Sequence, residues 1–285
     1  MTNTRIALYI GNELYPTNNV VPQDTINILQ GSPLTSPILS LLNHDSNNDT
    51  LVYNDGTNPM FDNSGNFIGP TAWQETISTL RNSTIQEVYM SFSTNGTDWM
   101  ANLLSSNNAA AMQVFTYLKN TLSLDGIDLD YEGDTSTASN MYPVAAAAVK
   151  AGLKVTAAPY FSPGDWQAWV SYVQGLGGTV SWLNLQCYAG GKSNNPGDWN
   201  YIGIPIVAGS CKSCGGPQTT CSPNDMEQLF TLWRTGSGNV PQSCWNGIPN
   251  TGPQTIGGGF IWAYSSIAGA QFMPYMNALK NGLGM

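Results

Sequence analysis

Eight short apolar, β-rich runs alternate with stretches of helical periodicity along this chain, and that alternation restricts the fold more than any other feature. The runs span residues 5–11, 37–43, 86–93, 126–132, 154–160, 181–188, 201–208 and 259–264. Amphipathic stretches at 73–80, 109–122, 138–153, 166–176, 224–234 and 270–280 lie between them, with a short first helix expected at 23–29. Strands separated by helices pair in parallel, because a parallel neighbour is reached only through a long crossover. Ser222-Pro223 reads as a helix cap followed by proline at the first helical position, where its missing N–H costs nothing. Eight such units predict an α/β chain closed into a (β/α)8 TIM barrel rather than an open doubly wound sheet. Its functional groups are then expected at the strand C-termini, where the βα loops begin.

The 285 residues, 41% hydrophobic, are ample for that core. No linker, charge run or low-complexity block marks a seam, so one domain over 1–285 is expected. Charged residues make up only 9%, against about 25% in an ordinary domain. With 18 acids against 9 Lys plus Arg and a net charge of −9, a polyanion is repelled, which argues against nucleic acid and anionic membrane as partners. A neutral polysaccharide meets no such barrier. The nine Trp and 13 Tyr suit one, since flat rings stack on sugars, although core packing claims at least half of them. No segment approaches the roughly 20 apolar residues that span a bilayer. The first residues, Met1-Thr-Asn-Thr-Arg-Ile-Ala-Leu, lack the basic head and apolar run of a signal peptide. An extracellular home is expected from composition, reached after trimming of a leader or by another export route. A monomer is expected.

Residues Leu124-Asp-Gly-Ile-Asp-Leu-Asp-Tyr-Glu-Gly133 carry the chemistry. Alternate side chains of a strand share a face, so Asp128, Asp130 and Glu132 point one way while Ile127, Leu129 and Tyr131 point the other. Two residues advance about 6.6 Å along a strand. Three carboxyls so spaced do not all ionise cheaply near neutral pH, and at least one pKa must rise, as a general acid requires. Glu132 comes last, where a barrel opens to substrate. A calcium loop is the competing explanation, because Asp128, Asp130, Glu132 and Gly133 match its first, third, fifth and sixth positions. The twelfth position is Ser139, however, and the bidentate Glu is missing. No metal and no cofactor are expected. His44 is the only histidine, which leaves a Ser-His-Asp triad or a histidine metal site without support.

Asp125-Gly-Ile-Asp128-Leu-Asp130-Tyr-Glu132 resembles the DxxDxDxE signature of glycoside hydrolase family 18, the chitinases and their relatives. The resemblance extends over nearly the whole chain. Ile6-Ala-Leu-Tyr9-Ile-Gly11-Asn12 is similar to the first strand of the hevamine-type chitinases, and Trp182-Leu-Asn-Leu-Gln186-Cys-Tyr188 to their sixth. Ile202-Gly-Ile-Pro205 resembles the seventh, and Gly258-Gly259-Phe-Ile-Trp262 the eighth. Two positions depart from the pattern. Ser91-Phe-Ser93-Thr94 stands where the family has Ser-x-Gly-Gly, and Ala189 follows Tyr188 where the family has Asn or Asp. Both departures touch the cleft rather than the acid row.

The resemblance implies retaining, substrate-assisted hydrolysis, an exception to the two-carboxylate scheme. Glu132 would protonate the glycosidic oxygen while the substrate's own 2-acetamido oxygen attacks C1. Asp130 would hold the acetamide N–H, Asp128 would share a proton with Asp130, and Tyr188 would donate its hydroxyl to the acetamide oxygen. Asp125 would brace the strand. Tyr9, Gln186 and Trp262 would bind substrate, with Trp262 as the floor under the sugar. Trp99, Trp166 and Trp199 fall in or just after expected loops and are further stacking candidates. The implied partner is a polysaccharide or oligosaccharide containing N-acetylglucosamine, cut at its β-1,4 bonds. A glycan-binding lectin on an inactive barrel, and an endo-β-N-acetylglucosaminidase acting on N-glycans, are the alternatives.

Cys187 alternates with Gln186 and Tyr188, so it is expected to face the helix layer as a buried free thiol. Cys211, Cys214, Cys221 and Cys244 fall within or near the seventh βα connection and are expected to form two disulfides, of unspecified pairing. Zinc is disfavoured because the span from Cys221 to Cys244 is too long for a second close pair.

Overall fold

The computed structural model describes residues 4–54, 58–133, 139–214, 220–249 and 252–285. Its first strand, β1 (Arg5–Ile10), pairs in parallel with both β2 (Ser36–Asp45) and the last strand, β10 (Gly258–Trp262), which closes the sheet. From β2 the barrel runs through β5 (Tyr89–Ser93), β6 (Gly126–Asp130), β7 (Lys154–Ala157), β8 (Val180–Gln186) and β9 (Ile206–Cys211) to β10. This is the expected (β/α)8 barrel. A hairpin, β3 (Thr50–Tyr53) and β4 (Asn58–Phe61), extends β2 in antiparallel fashion outside the closed ring.

Strands buried on both faces carry apolar residues on both, and the barrel accordingly has two cores. Outside, Leu8, Ile127, Leu129, Val155 and Leu185 face the helices. Inside, Ala7, Tyr9, Tyr89, Trp182, Val207 and Phe260 fill the lumen. Gly209 makes room for that filling, since a Cβ there would lie 2.1 Å from the Phe260 ring.

The helices are α1 (Gln23–Gln30), α2 (Trp73–Leu80), α3 (Thr94–Ser106), α4 (Asn108–Thr116), α5 (Met141–Lys150), α6 (Pro163–Gly175), α7 (Pro223–Thr235), α8 (Tyr264–Ile267) and α9 (Phe272–Gly282). Ser222 Oγ accepts the Asp225 N–H at 3.2 Å and Pro223 opens α7, as its sequence predicts. The start of the helix expected at 138–153 falls at residue 138, outside the described residues.

Three local expectations change. Helix α3 occupies 94–106, a stretch over which no helix is expected. Ser93 Oγ caps it by accepting the Gly96 N–H at 3.2 Å, and Gly96 lets it press on β2, since a Cβ there would lie 2.1 Å from the Leu42 carbonyl. The seventh barrel strand begins at Ile206 rather than Tyr201. Residues 196–202 form a 3-10 turn closed by Gly203 at φ 83°, and Pro205 lacks the N–H a ladder needs. No α-helix separates β8 from β9; 3-10 turns at Ala189–Gly191 and Pro196–Ile202 do. Among the described residues no helix is long and apolar enough to cross a membrane.

Cys211 pairs with Cys214 and Cys221 with Cys244, while Cys187 is free and buried in the outer core. Burial pushes the Cys187 thiol pKa up. Both disulfides tie down the connection between β9 and α7.

Candidate active site

Strand β6 and the two residues after it run up the barrel wall and deliver three carboxyls to successively higher levels. Asp128 lies at the deepest level and is completely buried. An isolated carboxylate there is costly, so the neighbouring strands supply donors. The Ser91 and Tyr9 hydroxyls donate to Oδ2 at 2.7 and 3.0 Å, and the Thr156 hydroxyl and Asn184 amide donate to Oδ1 at 2.7 and 3.1 Å. Register explains two of these contacts, because Ser91 on β5 and Thr156 on β7 pair directly with Asp128. Asn184 is oriented in turn: Trp182 Nε1 donates to its Oδ1 at 2.7 Å, which turns the amide N–H toward Asp128. Burial raises the Asp128 pKa and these hydrogen bonds pull it back.

Asp130 sits one level up and is partly exposed. Gln186 Nε2 donates to its Oδ1 at 3.2 Å. Burial, then the negative charges of Asp128 and Glu132, hold its pKa well above the usual carboxylate range. The four donors favour charge on Asp128, so the first proton of the pair resides on Asp130. Glu132 stands exposed at the mouth, 3.4 Å from Gln186 Nε2. Its backbone N–H donates to Thr94 Oγ1 at 2.8 Å. A buried, fully hydrogen-bonded acid, a middle acid whose pKa is raised further and a solvent-facing outer acid thus follow one another along β6 and the two residues after it.

Gln186 joins the wall to the row, because its Nε2 also donates to the Ala158 carbonyl at 2.9 Å. Tyr188 follows on the same inward face of the chain. Burial is the main cause that raises its hydroxyl pKa, which favours the neutral, hydrogen-donating form. Tyr9 is fully buried, donates to Asp128, and packs its ring 4.9 Å from that of Trp262. Trp262 ends β10 across the barrel and remains partly exposed. Asp125 lies outside the lumen, where Arg81 reaches its Oδ2 at 2.8 Å and the Val88 N–H donates to the same atom at 2.8 Å.

The sequence-predicted residues Glu132, Asp130, Asp128, Tyr188, Tyr9, Gln186 and Trp262 therefore converge on the lumen and its mouth. The other tryptophans do not. Trp99 lies within α3 and donates to Asp49 at 2.8 Å, and Trp99, Trp166 and Trp199 are all buried. Sequence reasoning passed over Ser91, Thr156 and Asn184, although each is a polar residue at an inward position of an otherwise apolar strand. It also passed over Thr94 as a support for Glu132. Among the described residues no group of three or more His, Cys, Asp or Glu side chains is arranged to hold a metal.

No protein-family model and no curated protein sequence matches the chain. Solved structures do. A family 18 chitinase from Pseudoalteromonas aurantia superposes with a TM-score of 0.61 at 21% identity, covering 98% of this chain and all of that one (100%). A fungal endo-β-N-acetylglucosaminidase of glycosyl hydrolase family 18 gives 0.60 at 19% identity, covering 99% of this chain and 98% of that one. A chitinase from Rhizomucor miehei gives 0.56 at 12% identity, covering 98% and 100%. At these identities the likeness is one of fold.

Proposed function

We propose that this chain is a chitinase-type glycoside hydrolase of family 18, cleaving β-1,4 bonds of N-acetylglucosamine polymers with retention by substrate-assisted catalysis. The graded acid row carries the reading: one buried and fully hydrogen-bonded carboxylate, one protonated acid beside it, and one acid at the mouth. The fold shared with two chitinases and an endo-β-N-acetylglucosaminidase supports it.

In this reading the reacting sugar rests on Trp262, whose rear face Tyr9 supports. Glu132 gives its proton to the glycosidic oxygen as that oxygen leaves C1. The acetamide oxygen, held by the Tyr188 hydroxyl, forms the new bond to C1, giving an oxazolinium ion. Asp130 passes its proton to Asp128, becomes anionic, and accepts the acetamide N–H. Burial of Asp128 favours its neutral form and so supports that transfer, and Ser91, Tyr9 and Thr156 reorient their hydroxyls as it occurs. Glu132, now a carboxylate, takes a proton from water as the water opens the oxazolinium ring, so the first sugar released on the glycon side is the β-anomer. No separate protein nucleophile is required, and a plain glucan lacks the group that attacks. Disulfides persist in oxidising compartments, so Cys211–Cys214 and Cys221–Cys244 support secretion.

Incubation with chito-oligosaccharides, peptidoglycan and a high-mannose glycopeptide, followed by mass spectrometry, tests this reading. Cleavage of the first is expected. Exclusive cleavage of the glycopeptide selects the endo-β-N-acetylglucosaminidase, and binding without cleavage selects the lectin. Glu132→Gln keeps the shape but delivers no proton, so turnover falls by about 10²–10⁴-fold while oligosaccharide binding persists. A variant with most of the wild-type rate removes Glu132 from its assigned role.

A further inference from the structure

Three exposed aromatic side chains stand out among the described residues: Phe161, Tyr172 and Tyr201. Tyr172 belongs to α6, and Tyr201 to the 3-10 turn that precedes β9. Only Phe161 follows the C-terminal end of a barrel strand, β7, on the face that carries the acid row. It is 37% exposed, and its ring centroid lies 4.6 Å from that of Tyr160, itself partly exposed.

The pair is held in place relative to the acids. Leu129 of β6 is in register with Ala157 of β7, so Tyr160 comes roughly level with Glu132 on the neighbouring strand. Thr156 and Ala158 face the lumen, and Tyr160 follows just beyond the end of β7. The Pro159 carbonyl accepts the Gln186 N–H at 2.8 Å, and Asn194 Nδ2 donates to the carbonyls of both Tyr160 and Gln186 at 2.8 and 2.9 Å. Gly190 leaves space for the Tyr160 ring against the turn after Tyr188, since a Cβ there would come within 3.1 Å of it. This loop is therefore laced to Gln186, the residue that contacts both Asp130 and Glu132.

We propose that Phe161, braced by the Tyr160 ring inclined 59° to it, forms a stacking platform for the sugar on the leaving-group side of the bond being cut. With the reacting ring over Trp262 and its bridging oxygen at Glu132, the next sugar falls against the strands flanking β6. On the β5 side the chain turns at once into helix α3; on the β7 side it presents these two rings. Pyranose rings offer flat C–H faces that aromatic rings cover well, and a platform fixed before binding loses little ordering entropy.

The inference rests on the glycosidase reading, and the experiment separates the two. Chitohexaose labelled at its reducing end is digested by wild type, Phe161→Ala and Phe161→Tyr. For Phe161→Ala, KM is expected to rise about tenfold, equivalent to about 1.4 kcal/mol of lost binding, with kcat changed less than about threefold on the same scale. The cut should move toward the reducing end, because a weakened leaving-group site favours complexes with more sugars on the glycon side. Phe161→Tyr keeps a ring and should match wild type. Unchanged KM and product pattern, or a shift toward the non-reducing end, overturns the platform. A wild-type protein inactive on every N-acetylated glycan removes the glycosidase reading instead. Calorimetry with chitohexaose then decides the platform: about tenfold weaker binding by Phe161→Ala retains it as a sugar site, and equal or absent binding rejects it.

Discussion

Replacing Thr94 by Val tests whether the outer acid depends on its backbone anchor at this residue. Thr94 Oγ1 accepts the Glu132 N–H at 2.8 Å, and Val has the same shape without the acceptor. A neutral hydrogen bond contributes about 0.5–1.5 kcal/mol net, and Glu132 is exposed, so water recovers part of it. A stability loss of about 0.5–1 kcal/mol is expected. Unfolding entropy near 2.1 cal/mol/K per residue over 285 residues is about 0.6 kcal/mol/K, so Tm falls by only about 1–2 °C. The effect on rate is larger. Beyond this bond Glu132 has a 3.4 Å contact to Gln186, and a misplacement of about 1 Å in a reacting group costs about 10²-fold. Initial rates on chitopentaose should show kcat down about 10- to 100-fold, with KM nearly unchanged because the anchor touches no sugar. Thr94→Ser, which keeps the oxygen, should stay within about threefold of wild type on the same scale. Wild-type kcat in Thr94→Val, or equal losses in Val and Ser, refutes the anchor.

Asp130→Asn is expected to lose activity and gain stability. Asp130 has a folded-state pKa above its unfolded value, so between the two values the native state binds more protons and stability falls as pH rises. The variant escapes that loss: its Tm should match wild type near or below pH 3.8, the unfolded reference, and exceed it increasingly toward neutral pH. Thermal melts from pH 3.5 to 8 check this, and an advantage confined to acid pH refutes it. For the cysteines, thiol titration of unfolded, unreduced protein should find one reactive group, Cys187, and the native protein none. More than one thiol in the unfolded, unreduced protein refutes the disulfide assignment.

The barrel was legible because its strands are apolar on both faces and its helices on one, and those periods survive in short windows. Failures occurred where one residue does two jobs. Gly96 lowers helical propensity in a stretch where no helix is expected, yet it sits in the first turn of α3 because β2 passes too close for a side chain. Tyr201-Ile-Gly-Ile-Pro205 alternates like a strand, yet Gly203 takes a left-handed conformation and Pro205 withholds an N–H. The hairpin β3–β4 is short and lies outside the repeat, so no period announced it. Tryptophan was the most misleading signal. Eight of the nine are buried, leaving Trp262 as the partly exposed one, because a closed barrel with thin polar layers needs bulk more than it needs sugar-binding surface.

The acid row was readable from spacing alone, but the gradient along it was not, because the gradient is made by other strands. Ser91, Thr156 and Asn184 belong to three different strands, and only register brings them to Asp128. The two departures from the family pattern acquire physical content in the same way. Thr94, in place of a glycine, supplies an oxygen that holds the Glu132 backbone. Ala189, in place of Asn or Asp, occupies φ 46°, a left-handed conformation that those two side chains tolerate better than alanine does. The backbone bend that an Asn or Asp would favour is therefore retained, while the polar group it would point beside Tyr188 is gone. In the proposed mechanism, recognition beside the reacting sugar then falls to Tyr188 and Asp130, which leaves discrimination among polymers to the platform proposed at Tyr160 and Phe161.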